Sequence, residues 1–171
     1  MGPGRIEQTL TVLARLSAML GGLVLLALII LSVLSITGRA LVPIGLGPIP
    51  GDFELVQAGT AFGIFCFLPW CQLEGGHVTV DILKRWLGPR VDALLAAGFN
   101  LLMTLAAAFI LWRAYAGMQD KMRYTEVTFI LQYPVWWGYA VCLPLAALFV
   151  AVAAFTVYRS LRNAFASEAA P

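Results

Sequence analysis

The sequence predicts an all-α membrane protein with four transmembrane helices, a short cytoplasmic amphipathic helix between helices 2 and 3, and both termini in the cytoplasm. Of the 171 residues, 61% are hydrophobic and only 12% are charged, whereas an ordinary soluble domain carries about 25% charged residues. The charges are missing from four long runs, and a helix needs about 20 apolar residues to cross a bilayer. These runs are continuous, without the alternation of polar and apolar residues that is typical of membrane β-strands.

The composition also excludes several classes of function. A soluble enzyme of this length would expose a large apolar excess to water, and a disordered chain needs low hydrophobicity and high charge. The net charge of +2 and the lack of a basic tract give no support to nucleic-acid binding.

The four predicted spans form a single domain over 1–171, and they lie at about 16–38, 53–73, 92–114 and 134–158. The first run is longer than the apolar region of a signal peptide, and no A-x-A-like cleavage site follows it, so we expect a retained helix. Asp52 is predicted to cap the second helix, and Glu54 is favourable in its first turn.

Proline and charge mark the other ends. Pro69 and Pro144 should kink the second and fourth helices, and Pro134 is a good first residue for the fourth. The third helix is expected to continue past the membrane surface into the charged segment 113–126. The proline- and glycine-rich segment 40–51 predicts an exposed, stiffened loop, and the β-branched residues of 124–133 predict an extended segment.

Lysine and arginine in the flanks predict the orientation, because cytoplasmic loops carry more of them. The flanks on the side of the termini hold seven, and those on the other side hold four. The richer side is predicted to be cytoplasmic. Its seven residues are Arg5, Arg15, Lys84, Arg85, Arg90, Arg159 and Arg162, against Arg39, Arg113, Lys121 and Arg123.

The four charge-free runs are 16–38, 55–73, 93–112 and a stretch within 127–158, and they also lack histidine. Proton relays and charged-substrate sites in membranes are usually built from Asp, Glu, Lys, Arg or His. Gln57 and Asn100 are expected to hydrogen-bond between helices as packing contacts. His77 is the only histidine, so one chain cannot build a bis-histidine haem site. A Ser-His-Asp triad could use only His77, and nothing in the sequence places a serine near it. The three cysteines suggest neither a disulfide framework nor a zinc pair. We therefore expect no cofactor, no metal and no enzymatic activity.

Two motifs predict packing or docking. Gly59 and Gly63 form a G-x-x-x-G in the second span, and such spacing brings helix backbones close, either within this chain or against another subunit. A helix at about 79–87 would place Asp81, Lys84 and Arg85 on one face, with Trp86 among the apolar residues of the other. That helix would lie on the lipid headgroups or dock a partner, and the sequence leaves both open.

The stretch Gly75-Gly76-His77-Val78-x-Val80-Asp81-x-Leu83 and the stretch Tyr133-Pro134-x-Trp136-x-x-x-Tyr139-x-x-x-x-Pro144 resemble the small membrane subunit of tripartite ATP-independent periplasmic (TRAP) transporters. The resemblance covers roughly residues 10–162. Members often carry an arginine where this chain has Glu74, and tryptophan with adjacent acids where it has Asp52-Phe53-Glu54.

The resemblance implies a scaffold subunit in the bacterial inner membrane, packed against a large elevator-type subunit that imports a solute, often a carboxylate, with an ion gradient. A periplasmic solute-binding protein and membrane lipids are the other implied partners. The candidate contacts to the large subunit are Gly59, Gly63, Gly76, His77, Asp81, Lys84, Arg85 and Trp86. The candidate periplasmic contacts are Arg39, Asp52, Glu54, Asp120, Lys121, Arg123 and Glu126. The alternatives are the membrane anchor of a redox enzyme and the small subunit of a tricarboxylate-type tripartite carrier.

Overall fold

The computed structural model describes residues 4–75 and 89–166 as four long helices joined by loops. Each helix is long and apolar enough to cross a membrane, and the described residues contain no β-strand, which confirms the predicted helical class. The helices are α1 (Arg5–Ala40), α2 (Asp52–Leu73), α3 (Pro89–Arg123) and α4 (Trp136–Ala166), with a short 3₁₀ helix, Val42–Ile44, after α1.

The helices extend beyond the predicted spans. α1 has 36 residues and α3 has 35, so each is about 50 Å long at 1.5 Å per residue, against a hydrocarbon core of about 30 Å. The prediction that the third helix continues into the charged segment is confirmed, since α3 ends at Arg123. Pro69 and Pro144 lie inside α2 and α4, as expected.

Two local predictions were wrong. α4 begins at Trp136, because Pro134 pairs with Val127 in an isolated β-bridge instead of opening the helix. The segment 124–133 is extended only around that bridge, since Thr125 and Gln132 both adopt positive φ and turn the chain back on itself.

The helices pack as a row in the order α1, α2, α4, α3, with only a brief contact between α1 and α4. α4 therefore lies between two neighbours, and a third of its most apolar segment is buried, against about a ninth in α1. Small residues allow this close packing: Ala146, Val152 and Ala153 of α4 are almost fully buried. Most large apolar side chains of α1 and α3 remain exposed, as suits helices that face lipid or another protein.

Glycines allow α1 and α2 to approach closely. A Cβ on Gly21 of α1 would lie 2.6 Å from the Cβ of Cys66 and 3.3 Å from the carbonyl oxygen of Gly63. Further along the same contact, Leu28 fills the space beside Gly59, and Leu25 fills the space beside Gly63. The G-x-x-x-G motif thus serves packing within this chain, which is one of the two uses that the sequence allowed.

The row has two ends, which we name by the chain segments found there. The termini end holds the start of α1, the end of α2, the start of α3 and the end of α4. The loop end holds the segment 41–51 and the segment 124–135. The predicted interfacial helix at 79–87 lies outside the described residues.

Candidate functional site

The loop end is built around Glu54, in the first turn of α2. Its carboxylate accepts hydrogen bonds from the backbone N–H groups of Ile130, at 2.6 Å, and Leu131, at 2.9 Å. These amides belong to the turn between α3 and α4, 76 and 77 residues further along the chain. A carboxylate that accepts two backbone N–H groups makes strong, charge-assisted bonds. Glu54 therefore fixes the α3–α4 loop to the start of α2.

The fixed loop presents an aromatic tip. Phe129, next to the clamped amides, has 91% of its surface exposed, while the Leu131 side chain lies directly against Gly51. Gly51 precedes α2 with φ of 76°, a conformation that favours glycine, and a Cβ there would collide with Leu131. The loop is thus held on its inner side and offers a large apolar side chain to the outside.

Asp52 joins the end of α1 to the start of α2. Its carboxylate accepts a hydrogen bond from the hydroxyl of Ser35 on α1 and one from the backbone N–H of Phe53. The Ser35 hydroxyl in turn accepts the N–H of Ile49, so it also holds the connecting loop. The predicted capping role is corrected here: Gly51 is the N-cap, and Asp52 is the first helical residue, whose side chain bonds mainly across to α1.

Lys121 and Glu126 form an ion pair of 2.6 Å between the end of α3 and the loop that follows. The hydrogen bond to Glu126 raises the pKa of Lys121 above its ordinary value. The remaining predicted charges of this end, Arg39, Asp120 and Arg123, have exposed side chains. The seven predicted periplasmic contacts therefore separate into four that shape the loop end and three that point to solvent.

The termini end is joined by a network of neutral side chains. The Gln72 amide nitrogen of α2 donates to the Asn100 side-chain oxygen of α3, at 3.1 Å, and to the Thr156 hydroxyl of α4, at 2.9 Å. The Asn100 amide nitrogen donates to the Ser160 hydroxyl of α4, at 2.9 Å. Gln72 and Thr156 are each only 3% exposed. Hydrogen-bonded amides of this kind join helices in lipid at a modest gain in stability.

This network confirms Asn100 as an inter-helix hydrogen-bonding residue. Gln57, predicted in the same role, instead has an exposed side chain. Arg159 adds one bond at the surface of the termini end, where its guanidinium donates to the carbonyl of Leu73 at 3.3 Å.

The other predicted contacts are not brought together with either end. Gly59 and Gly63 lie in the middle of α2 against α1. The predicted docking residues Gly76, His77, Asp81, Lys84, Arg85 and Trp86 fall outside the described residues. Within 4–75 and 89–166, no group of three or more His, Cys, Asp or Glu side chains is placed to hold a metal ion.

The sequence identifies most of the polar residues that form hydrogen bonds between helices, but not the groups to which they bond. Ser35, Thr156 and Asn100 stand out as polar positions inside apolar runs, but nothing in the sequence pairs Ser35 with Asp52. Gln72 and Ser160 had a usable signal, because a polar side chain at the end of an apolar run favours a bond across helices. The backbone amides that Glu54 binds carry no side-chain signal at all.

Comparison with known proteins gives one result that agrees with this architecture. The family model described as "Tripartite ATP-independent periplasmic transporters, DctQ component" matches residues 28–164. This range runs from the middle of α1 to nearly the end of α4, so it includes both ends of the row. No curated protein matches the chain.

Proposed function

Since the chain belongs to the family of DctQ components of the tripartite ATP-independent periplasmic transporters, we propose that it is the fixed scaffold of such a transporter. It packs against a large elevator-type membrane subunit, which carries the solute inward with an ion gradient. The solute, a carboxylate in this proposal, is delivered by a periplasmic binding protein. Membership of this family makes the chain a small membrane subunit of a transporter.

The observation that carries the proposal is that polar side chains inside the helices form hydrogen bonds to neighbouring helices. Gln72 of α2 donates to Asn100 of α3 and to Thr156 of α4. A transport pathway in a membrane is instead marked by ionisable side chains that face a cavity. The apolar segments 16–38, 55–73, 93–112 and 127–158 contain no Asp, Glu, Lys, Arg or His. The polar groups here hold helices together, which is the work of a scaffold.

The row of helices also supports a partner in the membrane. A row leaves two broad apolar faces, and most large side chains of α1 and α3 are exposed on them. We propose that one face meets the large subunit and the other meets lipid. The segment from Gly76 to Trp86 remains a proposed contact on the cytoplasmic side, whereas Gly59 and Gly63 pack against α1 of this chain.

We place the termini end in the cytoplasm and the loop end in the periplasm of the inner membrane, following the excess of arginine and lysine beside the termini. The periplasmic surface then includes the exposed Arg39, Asp120 and Arg123 and the Phe129 tip. An aromatic tip on a fixed loop costs little conformational entropy when it docks. This surface is the proposed contact for the solute-binding protein.

Co-purification of the tagged chain from native membranes tests the scaffold proposal. We expect a companion of about a dozen membrane spans, and we expect solute uptake in vesicles only when that companion is present. The Phe129→Ala variant should retain the companion but lose response to the binding protein, whereas Ile44→Ala, an exposed apolar residue of the segment 41–51, should keep both. A flavin- or haem-bearing companion, or uptake by this chain alone, would overturn the proposal.

A further inference from the structure

A cavity of about 620 Å³ lies between the first turn of α1 and the last described turns of α4 at the termini end. Its charged lining consists of Arg5, Arg159 and Arg162 with one acid, Glu7. Three guanidinium groups against one carboxylate leave an excess of positive charge. The cavity therefore favours an anionic ligand.

The groups around the cavity suit a phosphate. A guanidinium presents a planar fork of donors that matches phosphate oxygens, and it stays charged at any physiological pH. α1 begins beside the cavity after Gly4, which supplies no side-chain cap. The first amides of a helix have no acceptor within the helix, and the positive end of its dipole lies there. The three arginines and the N-terminus of α1 therefore both favour an anion in this cavity.

Two of the arginines each have one contact with a neighbouring group. Arg159 donates one of its five N–H groups to the carbonyl of Leu73, and Arg162 lies 6.0 Å from the centre of the Tyr158 ring. The bond to Leu73 restricts Arg159, and a restricted side chain loses less entropy when it binds a ligand than a mobile one does. The third, Arg5, comes from another helix, so the ligand would also bridge α1 and α4, which make only a brief contact with each other.

The position of the cavity selects the source of the phosphate. Tyr158 ends the predicted fourth span, and Arg159 and Arg162 follow within about one helical turn, where lipid headgroups lie. Ile6 and Phe155 supply apolar walls beside the charges, as a ligand with both a phosphate and a hydrocarbon part requires. We propose that this cavity binds the headgroup phosphate of an anionic phospholipid. Basic pockets between transmembrane helices bind such headgroups in general.

The test is a lipid titration of the full chain in detergent, followed by mass spectrometry under conditions that keep bound lipid. We expect phosphatidylglycerol to bind more tightly than phosphatidylcholine. The double variant Arg5→Gln/Arg162→Gln should weaken phosphatidylglycerol binding about tenfold, because two charge-assisted contacts are lost. Both side chains are exposed, so we expect the helix content measured by circular dichroism to be unchanged.

The matched control is Arg113→Gln/Arg123→Gln, which removes two exposed arginines of α3, one of which also lies over an aromatic ring. This control should bind phosphatidylglycerol within twofold of the original chain. Equal loss in both double variants, or no loss in the first, would overturn the site. Displacement of the lipid by millimolar inorganic phosphate would show a site for a free anion instead and would equally overturn the proposal.

Discussion

At the loop end two carboxylates hold the chain together, whereas at the termini end the bonds between helices come from neutral amides and hydroxyls, apart from the Arg159 guanidinium at the surface. Asp52 and Glu54 bind a serine hydroxyl and backbone amides near the start of α2. Gln72 and Asn100 bind other uncharged side chains, and Gln72 is 3% exposed. A buried charge in lipid is expensive, while a paired amide is tolerated. The difference indicates that each end uses the strongest bond its surroundings allow.

The comparison also shows which parts each end connects. The carboxylates fix loops to helices, so they shape a surface outside the apolar segments. The neutral network joins α2, α3 and α4 to one another, so it sets the spacing of the row. We therefore expect substitutions at the loop end to act locally and substitutions at the termini end to act on the whole helix assembly.

Gly21→Ala should have the largest effect on the free energy of unfolding. Gly21 lies in the close α1–α2 contact, so this variant tests whether that contact matters more for stability than the bonds at either end. The added Cβ would lie 2.6 Å from the Cβ of Cys66, and such overpacking costs about 1–3 kcal/mol. Unfolding in mixed micelles with increasing dodecyl sulfate measures this loss. The control is Gly22→Ala, whose Cβ meets nothing within 4 Å. Equal stability of the two variants would show that the α1–α2 contact is looser than described.

Glu54→Gln should open the α3–α4 loop without unfolding the helices. The amide that replaces one carboxylate oxygen turns a donor toward a backbone N–H, so one of the two bonds is lost and the charge with it. Hydrogen exchange at Ile130 and Leu131 should become about tenfold faster. Glu74→Gln, an exposed acid at the other end, should leave these amides unchanged. Protection that survives Glu54→Gln would mean that the loop holds itself.

Gln72→Leu should lower the free energy of unfolding by about 0.6–1.7 kcal/mol, from the average to the maximum measured for hydrogen bonds between helices in one membrane protein. The loss arises because Asn100 and Thr156 each lose the amide that binds them. The matched control is Gln57→Leu on the same helix, where the side chain is exposed and no loss is expected. If Gln72→Leu changed hydrogen exchange at Ile130 and Leu131 and left the free energy of unfolding unchanged, the network at the termini end would not set the spacing of the helices.

The same contrast explains how much of the molecule the sequence can predict. Missing charge locates all four helices, because the cost of burying charge in lipid is large and acts at every position. The order of the helices in the row is not predictable in this way, since lipid tails are as apolar as leucine and leave no pattern that names a neighbour. Asn100, Gln72 and Ser160 could each be predicted as polar residues that bond across helices, but the sequence does not indicate which of them pair with one another.

The loop end is the less predictable of the two. Glu54 could be placed at the start of a helix from its position alone, yet its actual partners are backbone amides more than 70 residues away. Thr125 and Gln132 adopt positive φ, which residues other than glycine rarely do. The β-propensity of their neighbours gives no sign of this and predicted an extended segment instead. Tertiary contacts outweighed the local preference there.

Lys121→Gln should have the smallest effect, although its ion pair with Glu126 is short. The pair is at the surface of the loop end, where water and salt screen it, so we expect unchanged exchange at Ile130 and Leu131. Because the pKa of Lys121 is raised above 10.5, its contribution is fully present below about pH 10.5 and is lost only as the pH rises through the folded-state pKa. Exchange measured from pH 6 to 8 should therefore show no pH dependence from this pair. If Lys121→Gln instead opened the loop as much as Glu54→Gln does, the two carboxylates near α2 would not be the groups that hold the loop end.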